Sequence, residues 1–268
     1  MEPRYAFSIF TKPYRHLSAD DLAKKIAGIG FSGIEFPLRD GYQAEPADAD
    51  VSLPRLATCL ARYAIQITSV ASCLDERVFA GCARANVPYI RVMISHDLQR
   101  NFYDEMQEQR DYLLNKAKYC RQYGVKVVVQ HHYGPGVNNS MELAWFLEPL
   151  DPDLFGAVWD AAHSALAGEE PEQALDILWP RLSMVNFKNA RYVRKDDEGP
   201  FERYFTTGQD GLAAWPRAVN SMVARGYRGP VCLTAEYTDE THLDDYAVED
   251  LSYVKALFKE AADRNGER

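Results

Sequence analysis

Cysteine is scarce in this chain: five in 268 residues, an odd number, widely scattered (Cys59, Cys73, Cys82, Cys120, Cys232) and never spaced C-x-x-C. That argues against a disulfide framework and a paired-cysteine zinc or redox site. It predicts reduced, mostly buried thiols in an intracellular, cytoplasmic protein. Long apolar runs are also lacking. None approaches the roughly 20 residues of a membrane span, and the opening MEPRYAFSIFTKPYRHLS lacks the apolar core and small-residue cleavage site of a secretory leader. Basic clusters are missing as well: no Lys/Arg run exceeds two residues, and 30 Lys+Arg against 39 Asp+Glu give a net charge of −9. Neither nucleic acid nor a membrane is therefore an expected partner. Finally, no G-x-G-x-x-G follows the first β-like run, where Thr11-Lys-Pro-Tyr-Arg15 stands instead, which argues against a doubly wound dinucleotide fold.

What is present is apolar material enough for a core, 47% hydrophobic and 12% aromatic residues, arranged as short β-type runs alternating with helical patterns. Eight strands are predicted: Tyr5 to Ile9, Gly33 to Phe36, Gln66 to Ala71, Tyr89 to Met93, Val125 to Gln130, Leu154 to Trp159, Leu182 to Lys188 and Pro230 to Glu236. Helical periodicity covers Leu53 to Tyr63, Asp75 to Ala85, Phe102 to Tyr123, Ser140 to Leu147, Glu170 to Trp179, Leu212 to Arg225 and Val248 to Arg264, and Ser18 with Asp20 and Asp21 opens another helix. No linker or low-complexity segment interrupts the pattern, so a single domain over 1–268 is expected. Eight βα units in about 250 residues are what a (β/α)8 TIM barrel requires, with its chemistry at the C-terminal ends of the strands.

Those strand ends carry a polar set: Gln130-His-His132, Asp160-Ala-Ala-His163, Asn186-Phe-Lys188 and Glu236. Alternation puts Gln130 and His132 on one face and Asn186 and Lys188 on one face. Of His131 and His132 at most one enters the site without a bend, and His132 is favoured. Asp160 and His163 can lie on one side of a strand-to-helix junction, although Asp160 can equally cap the following helix. Glu35 reads either as a catalytic group or as one half of an ion pair with Arg39 or Arg91. Trp159, Trp145 and Trp215 are candidate apolar walls against a sugar face. The longest connection, Ala190 to Gly208, begins with Arg191 beside Lys188 and is expected to bind or cover an anionic or polyhydroxylated ligand.

Gly30-Phe-Ser-Gly-Ile-Glu35, Gly124-Val-Lys-Val-Val-Val-Gln130-His-His, Trp159-Asp-Ala-Ala-His163, Val185-Asn-Phe-Lys188 and the closing run from Gly208 to Glu236, in this order and spacing, resemble the sugar phosphate isomerase/epimerase superfamily of xylose isomerase-like TIM barrels. The resemblance implies a small-molecule sugar or sugar phosphate as substrate and a divalent metal (Mn, Mg or Co). By position, its ligands fall on Gln130, Asp160, Asn186 and Glu236. Two of these depart from the family pattern: Gln130 stands where a glutamate is usual and Asn186 where a histidine is usual. Amide oxygens can ligate hard cations but bring no charge, and Gln130 cannot serve as a second base. The implied catalytic set is Glu236 as base with His163 and Lys188, and Glu35, His132, Arg191 and Trp159 against the substrate. The activity so implied is an isomerase or epimerase working by proton abstraction α to a carbonyl. The alternatives are a dehydratase in the same site, a phosphodiesterase of the endonuclease IV type, which the amides and the charge disfavour, and a non-catalytic carbohydrate-binding accessory protein. Related barrels pair through exposed helices, so a homo-oligomer is expected.

Overall fold

The computed structural model describes residues 5–266. Its strands are β1 (Phe7–Phe10), β2 (Gly33–Pro37), β3 (Gln66–Ala71), β4 (Tyr89–Met93), β5 (Lys126–Gln130), β6 (Phe155–Asp160), β7 (Leu182–Phe187), β8 (Asn189–Arg194), β9 (Phe201–Thr206) and β10 (Val231–Leu233). Its helices are α1 (Ala19–Ile29), α2 (Ala49–Ala61), α3 (Glu76–Arg84), α4 (Phe102–Tyr123), α5 (Ser140–Leu147), α6 (Ala161–Leu166), α7 (Pro171–Leu178), α8 (Trp215–Ala224) and α9 (Leu243–Arg264). Eight of the strands close a parallel barrel in the order β1-β10-β7-β6-β5-β4-β3-β2, while β8 and β9 form a separate antiparallel pair. This is the expected (β/α)8 barrel.

Period two decides which residues meet inside it. On β5, β6, β7 and β10 the residues Val127 and Val129, Ala157 and Trp159, Val185 and Phe187, Val231 and Leu233 pack into the large core between strands and helices. Their alternates Val128, Val158, Met184 and Cys232 join Phe10 and Ala71 in a small apolar cluster inside the barrel. One step of the pleat further toward the C-terminal ends, the inward positions become polar: Gln130, Asp160, Asn186 and Thr234, all buried. The site therefore rests on an apolar floor.

Local signals account for most element ends. Ser18 Oγ accepts the Asp21 N–H at 3.1 Å to start α1, and Asn101 Oδ1 accepts from Tyr103 and Asp104 to start α4. Gly30 (φ 104°) and Gly124 (φ 65°) end these helices in the left-handed conformation. Helix α2 begins at Ala49, four residues before the sequence pattern suggests, and contains Pro54. Proline cannot bond the Asp50 carbonyl; Arg84 Nη1 donates to that oxygen instead, at 2.8 Å. Two expectations need correction. The connection after β7 is not an irregular loop but a hairpin, β8 paired with β9 from Asn189↔Thr206 to Arg194↔Phe201. The eighth barrel strand stops at Leu233, because Ala235 takes a left-handed φ of 47° that breaks the pleat just before Glu236.

Candidate active site

At the C-terminal mouth of the barrel lies a cavity of about 110 Å³ lined by Phe10, Lys12, Arg39, Arg91, Met93, Gln130, His132, Asn186, Lys188, Thr234 and Glu236. Of the lining residues, four are cations and one, Glu236, is a carboxylate. A chain of charge-assisted hydrogen bonds runs beneath and across it. Glu35 is fully buried on β2 and accepts from Arg91 Nε at 2.6 Å. Arg91 Nη1 donates in turn to the Gln130 amide oxygen, and Gln130 Nε2 donates to Asp160 Oδ2 at 2.6 Å. Lys188 Nζ lies 3.8 Å from that same Asp160 oxygen and donates to Glu236 Oε2 at 3.1 Å. Lys12 Nζ donates to the other Glu236 oxygen at 2.8 Å.

The electrostatics follow from this wiring. Burial opposes ionisation of Glu236, but Lys188 and Lys12 prevail and hold its carboxyl down to about 2. Burial likewise opposes the charge of Lys188, and Asp160 and Glu236 more than offset it, so the ammonium titrates above its usual range. Burial and the nearby Lys188 lower the pKa of both His132 and His163. Both rings are accordingly neutral at pH 7, with centroids 4.1 Å apart. His131 points away from the cavity. Its Nε2 accepts the Asp160 backbone N–H at 3.1 Å, and burial lowers its pKa to about 4. Asp160 holds both positions that the sequence allowed it. Its Oδ1 accepts the His163 N–H at 3.0 Å as the N-cap of α6, while its Oδ2 faces Gln130 and Lys188.

Several buried side-chain atoms make no hydrogen bond among the described residues: both polar atoms of the Asn186 amide, the Thr234 hydroxyl and both ring nitrogens of His163, whose Nε2 lies 3.8 Å from Asp160 Oδ2. An unsatisfied buried group costs about 1–3 kcal/mol, so Asn186 and Thr234, which line the cavity, are donors and acceptors available to a ligand.

The expected site residues thus divide. Gln130, His132, Asn186, Lys188 and Glu236 line the cavity; Asp160, His163 and Glu35 stand behind them, with Glu35 in the ion pair with Arg91. Trp159 does not reach the cavity. As the neighbour of inward-facing Asp160 it points outward by the pleat, against Phe187. Arg191 does not reach it either, because it lies on the face of the hairpin opposite Phe205, where it pairs with Asp210 at 2.5 Å. Trp145 stacks on Phe102 under Arg110, and Trp215 is buried in the core with its indole N–H on the Lys188 carbonyl. The hairpin reaches the site through Phe205 instead, whose ring lies 5.1 Å from Lys188 Nζ and 5.9 Å from the Tyr133 ring. Sequence reasoning missed Lys12 and Phe10 as lining residues and took Arg91 only as a partner for Glu35. An arginine on the inward alternation of Tyr89-Ile-Arg-Val-Met93 was the available signal.

The donor set does not suit a divalent metal. Among the described residues no three His, Cys, Asp or Glu side chains gather as a metal-ligand group. Of the four positions expected to ligate, Gln130 has its oxygen committed to Arg91 and Asp160 accepts from Gln130. Both oxygens of Glu236 accept from ammonium groups, those of Lys12 and Lys188, and Asp160 Oδ2 lies 3.8 Å from the Lys188 ammonium.

Residues 76–257 match the model of the xylose isomerase-like TIM barrel family. The chain belongs to that family. Inosose dehydratase of Lacticaseibacillus casei is 26% identical over 147 residues, 51% of this chain and 49% of the relative, so the chain spans about half the length of the curated relatives it matches. D-psicose 3-epimerase of Clostridium cellulolyticum H10, solved with D-tagatose, superposes with a TM-score of 0.72 at 14% identity, covering 94% of this chain and 99% of the epimerase. A xylose isomerase-like barrel of Mycobacterium smegmatis, solved in complex with magnesium, gives 0.72 at 14% identity over 97% and 99% of the two chains. At these identities the two structures speak to the fold alone.

Proposed function

We propose that this barrel removes a proton α to the carbonyl of a keto-sugar or keto-inositol and expels water from the neighbouring carbon. The observation that carries the reading is the single carboxylate of the cavity: Glu236 lines it, whereas Gln130 stands where a second base would be needed and has both amide atoms engaged. Epimerisation through a planar enolate calls for bases on both faces, while β-elimination calls for one base and a proton for the leaving group. The inosose dehydratase relatives support the same choice.

In this reading the Lys188 ammonium faces the substrate carbonyl and stabilises the enolate oxygen as negative charge develops there. Glu236 accepts the α-proton; as Lys188 turns its charge toward the enolate, it loosens its hold on the carboxylate. The enolate electrons then form the C=C bond as the β-hydroxyl leaves, taking the proton from Glu236, so that water and an enone are the products and the carboxylate is restored. Asn186 and Thr234 hydrogen-bond substrate hydroxyls. His132, neutral, is held beside them. Arg39, with no ion-pair partner among the described residues, and Lys12 at the rim would receive the anionic group of a phosphorylated substrate.

The deciding experiment incubates the protein with keto-inositols, ketoses and their phosphates in D2O, followed by NMR and by enone absorbance. Loss of water with one panel member is the expected result, and Glu236→Gln should abolish it. An epimer carrying deuterium at the α-carbon, with no enone, would move the reading to epimerisation with His132 as second base. Deuterium exchange that survives Glu236→Gln would remove Glu236 as the base.

A further inference from the structure

The middle of the barrel mouth already holds a fixed positive charge. Lys188 is only 5% exposed, and its ammonium sits between Asp160 Oδ2 at 3.8 Å and Glu236 Oε2 at 3.1 Å. These are the two carboxylates of the four positions at which the resemblance places metal ligands. Register keeps the arrangement tight: Asp160 on β6 is the direct partner of Asn186 on β7, and Lys188 follows two residues later, over the same inward face. The remaining two positions are neutral. Gln130, moreover, turns its oxygen toward Arg91 and its amide group toward Asp160. A dication placed among these groups would lie against a buried ammonium, with a guanidinium close by, and would have two charged ligands instead of three. Like charges at such separations in a poorly hydrated site repel strongly.

We propose that the Lys188 ammonium takes the place of the divalent cation that the donor geometry of this barrel end would otherwise hold, and that the pairs Gln130/Arg91 and Asn186/Lys188 act as a substituted set. The exchange gives the site one permanent positive charge that needs no loading and cannot be chelated away. It carries less charge than a divalent ion, and the deficit is made up in part by Arg91 behind Gln130. What that charge acts on rests on the function proposed above; where it sits does not.

The test counts metal without using substrate. The purified protein is dialysed against Mn2+, bound Mn is measured by atomic emission, and the free ion is followed by electron paramagnetic resonance. The wild-type chain should retain none at the site. The variant Gln130→Glu/Asn186→His/Lys188→Met, checked for folding by circular dichroism, should gain one Mn per chain and lose it again when Asp160→Asn is added. Wild-type protein that binds Mn, with the binding abolished by Asp160→Asn, would overturn the proposal whether or not the triple variant folds. A folded triple variant that holds no Mn would overturn Lys188 as the occupant. A chain that excludes Mn but dehydrates no carbonyl substrate keeps this inference and loses the functional reading, so the two can fail separately.

Discussion

Individual side chains in this barrel carry opposing demands, and Asp160 shows it most clearly. One oxygen caps α6 and the other belongs to the charge network. Asparagine caps a helix as well as aspartate does, so Asp160→Asn should keep α6 while removing the charge facing Lys188. Asp160→Ala should lose both, and thermal unfolding should place it lower by a further ~0.5–2 kcal/mol. Arg91 gives a sharper case. Arg91→Met leaves Glu35 fully buried without its partner, and urea titration should register a loss of about 3–5 kcal/mol. Converting Glu35→Gln in the same background should recover a substantial part of it. Glu236→Gln should reduce turnover by about 10²- to 10⁴-fold and should also lower stability, since it removes a carboxylate held charged by Lys12 and the buried Lys188. Because Glu236 titrates at about 2 and His132 below its usual range, the pH dependence of kcat/KM should show no acid limb near pH 6.5.

At the scale of elements, the hairpin of β8 and β9 has the most to do with the site while contributing no strand to the barrel. Its Phe205 ring covers Lys188 and packs against Tyr133, and Thr238 Oγ1 accepts the Phe205 N–H at 2.8 Å. Phe205→Ala should leave the barrel folded and admit water to Lys188. The measurable outcome is a raised KM for whichever panel member reacts, with the circular dichroism spectrum unchanged. The hairpin was illegible in the sequence for a plain reason: Arg191, Arg194, Lys195, Asp196, Asp197 and Glu198 give a charge-rich stretch without a buried face, and alternation cannot reveal a two-stranded ribbon that buries little. The barrel strands were legible because each buries one face against helices. The helices whose ends carry Asn caps or glycine were placed closely, α4 and α5 at their observed bounds. Helix α9 starts five residues earlier than its apolar periodicity, where Asp244 accepts from Tyr14 and Lys25 across the fold. Those contacts are between segments more than 200 residues apart and leave no local trace.

For the molecule as a whole, the charge distribution is uneven. The chain carries −9, yet its cavity is lined by Lys12, Arg39, Arg91 and Lys188 against Glu236, so an anionic ligand meets repulsion at a distance and attraction at the mouth. Raising the salt concentration weakens both, and Arg39→Ala should raise KM for phosphorylated substrates more than for their neutral parents. Global stability should depend on pH through the buried histidines, His131 among them. Burial lowers its folded pKa from 6.5 to about 4, so the unfolded chain binds its proton first and stability falls as pH drops from 6.5 toward 4. One such group accounts for about 3 kcal/mol over that interval. Chemical unfolding at a series of pH values should show this slope, and His131→Gln should reduce it without abolishing it, because His163 and His132 are lowered in the same direction.

The sequence by itself determined the barrel, its eight strand positions and the residues at their ends, because hydrophobic periodicity and helix caps are local and each strand must bury a face. It also determined that two of the expected ligand positions are amides. Tertiary structure alone decided what those residues do together. Trp159 and Arg191 were turned away by the pleat and by the hairpin, and Lys12 and Arg91 were brought in from the turn after β1 and from β4. Lys188 was set between two carboxylates that lie 28 and 48 residues from it in the chain. Whether a lysine at a strand end is a solvated surface charge or the cation at the centre of a site depends on which side chains converge on it, and convergence across eight strands is a property of the closed barrel that no single segment contains.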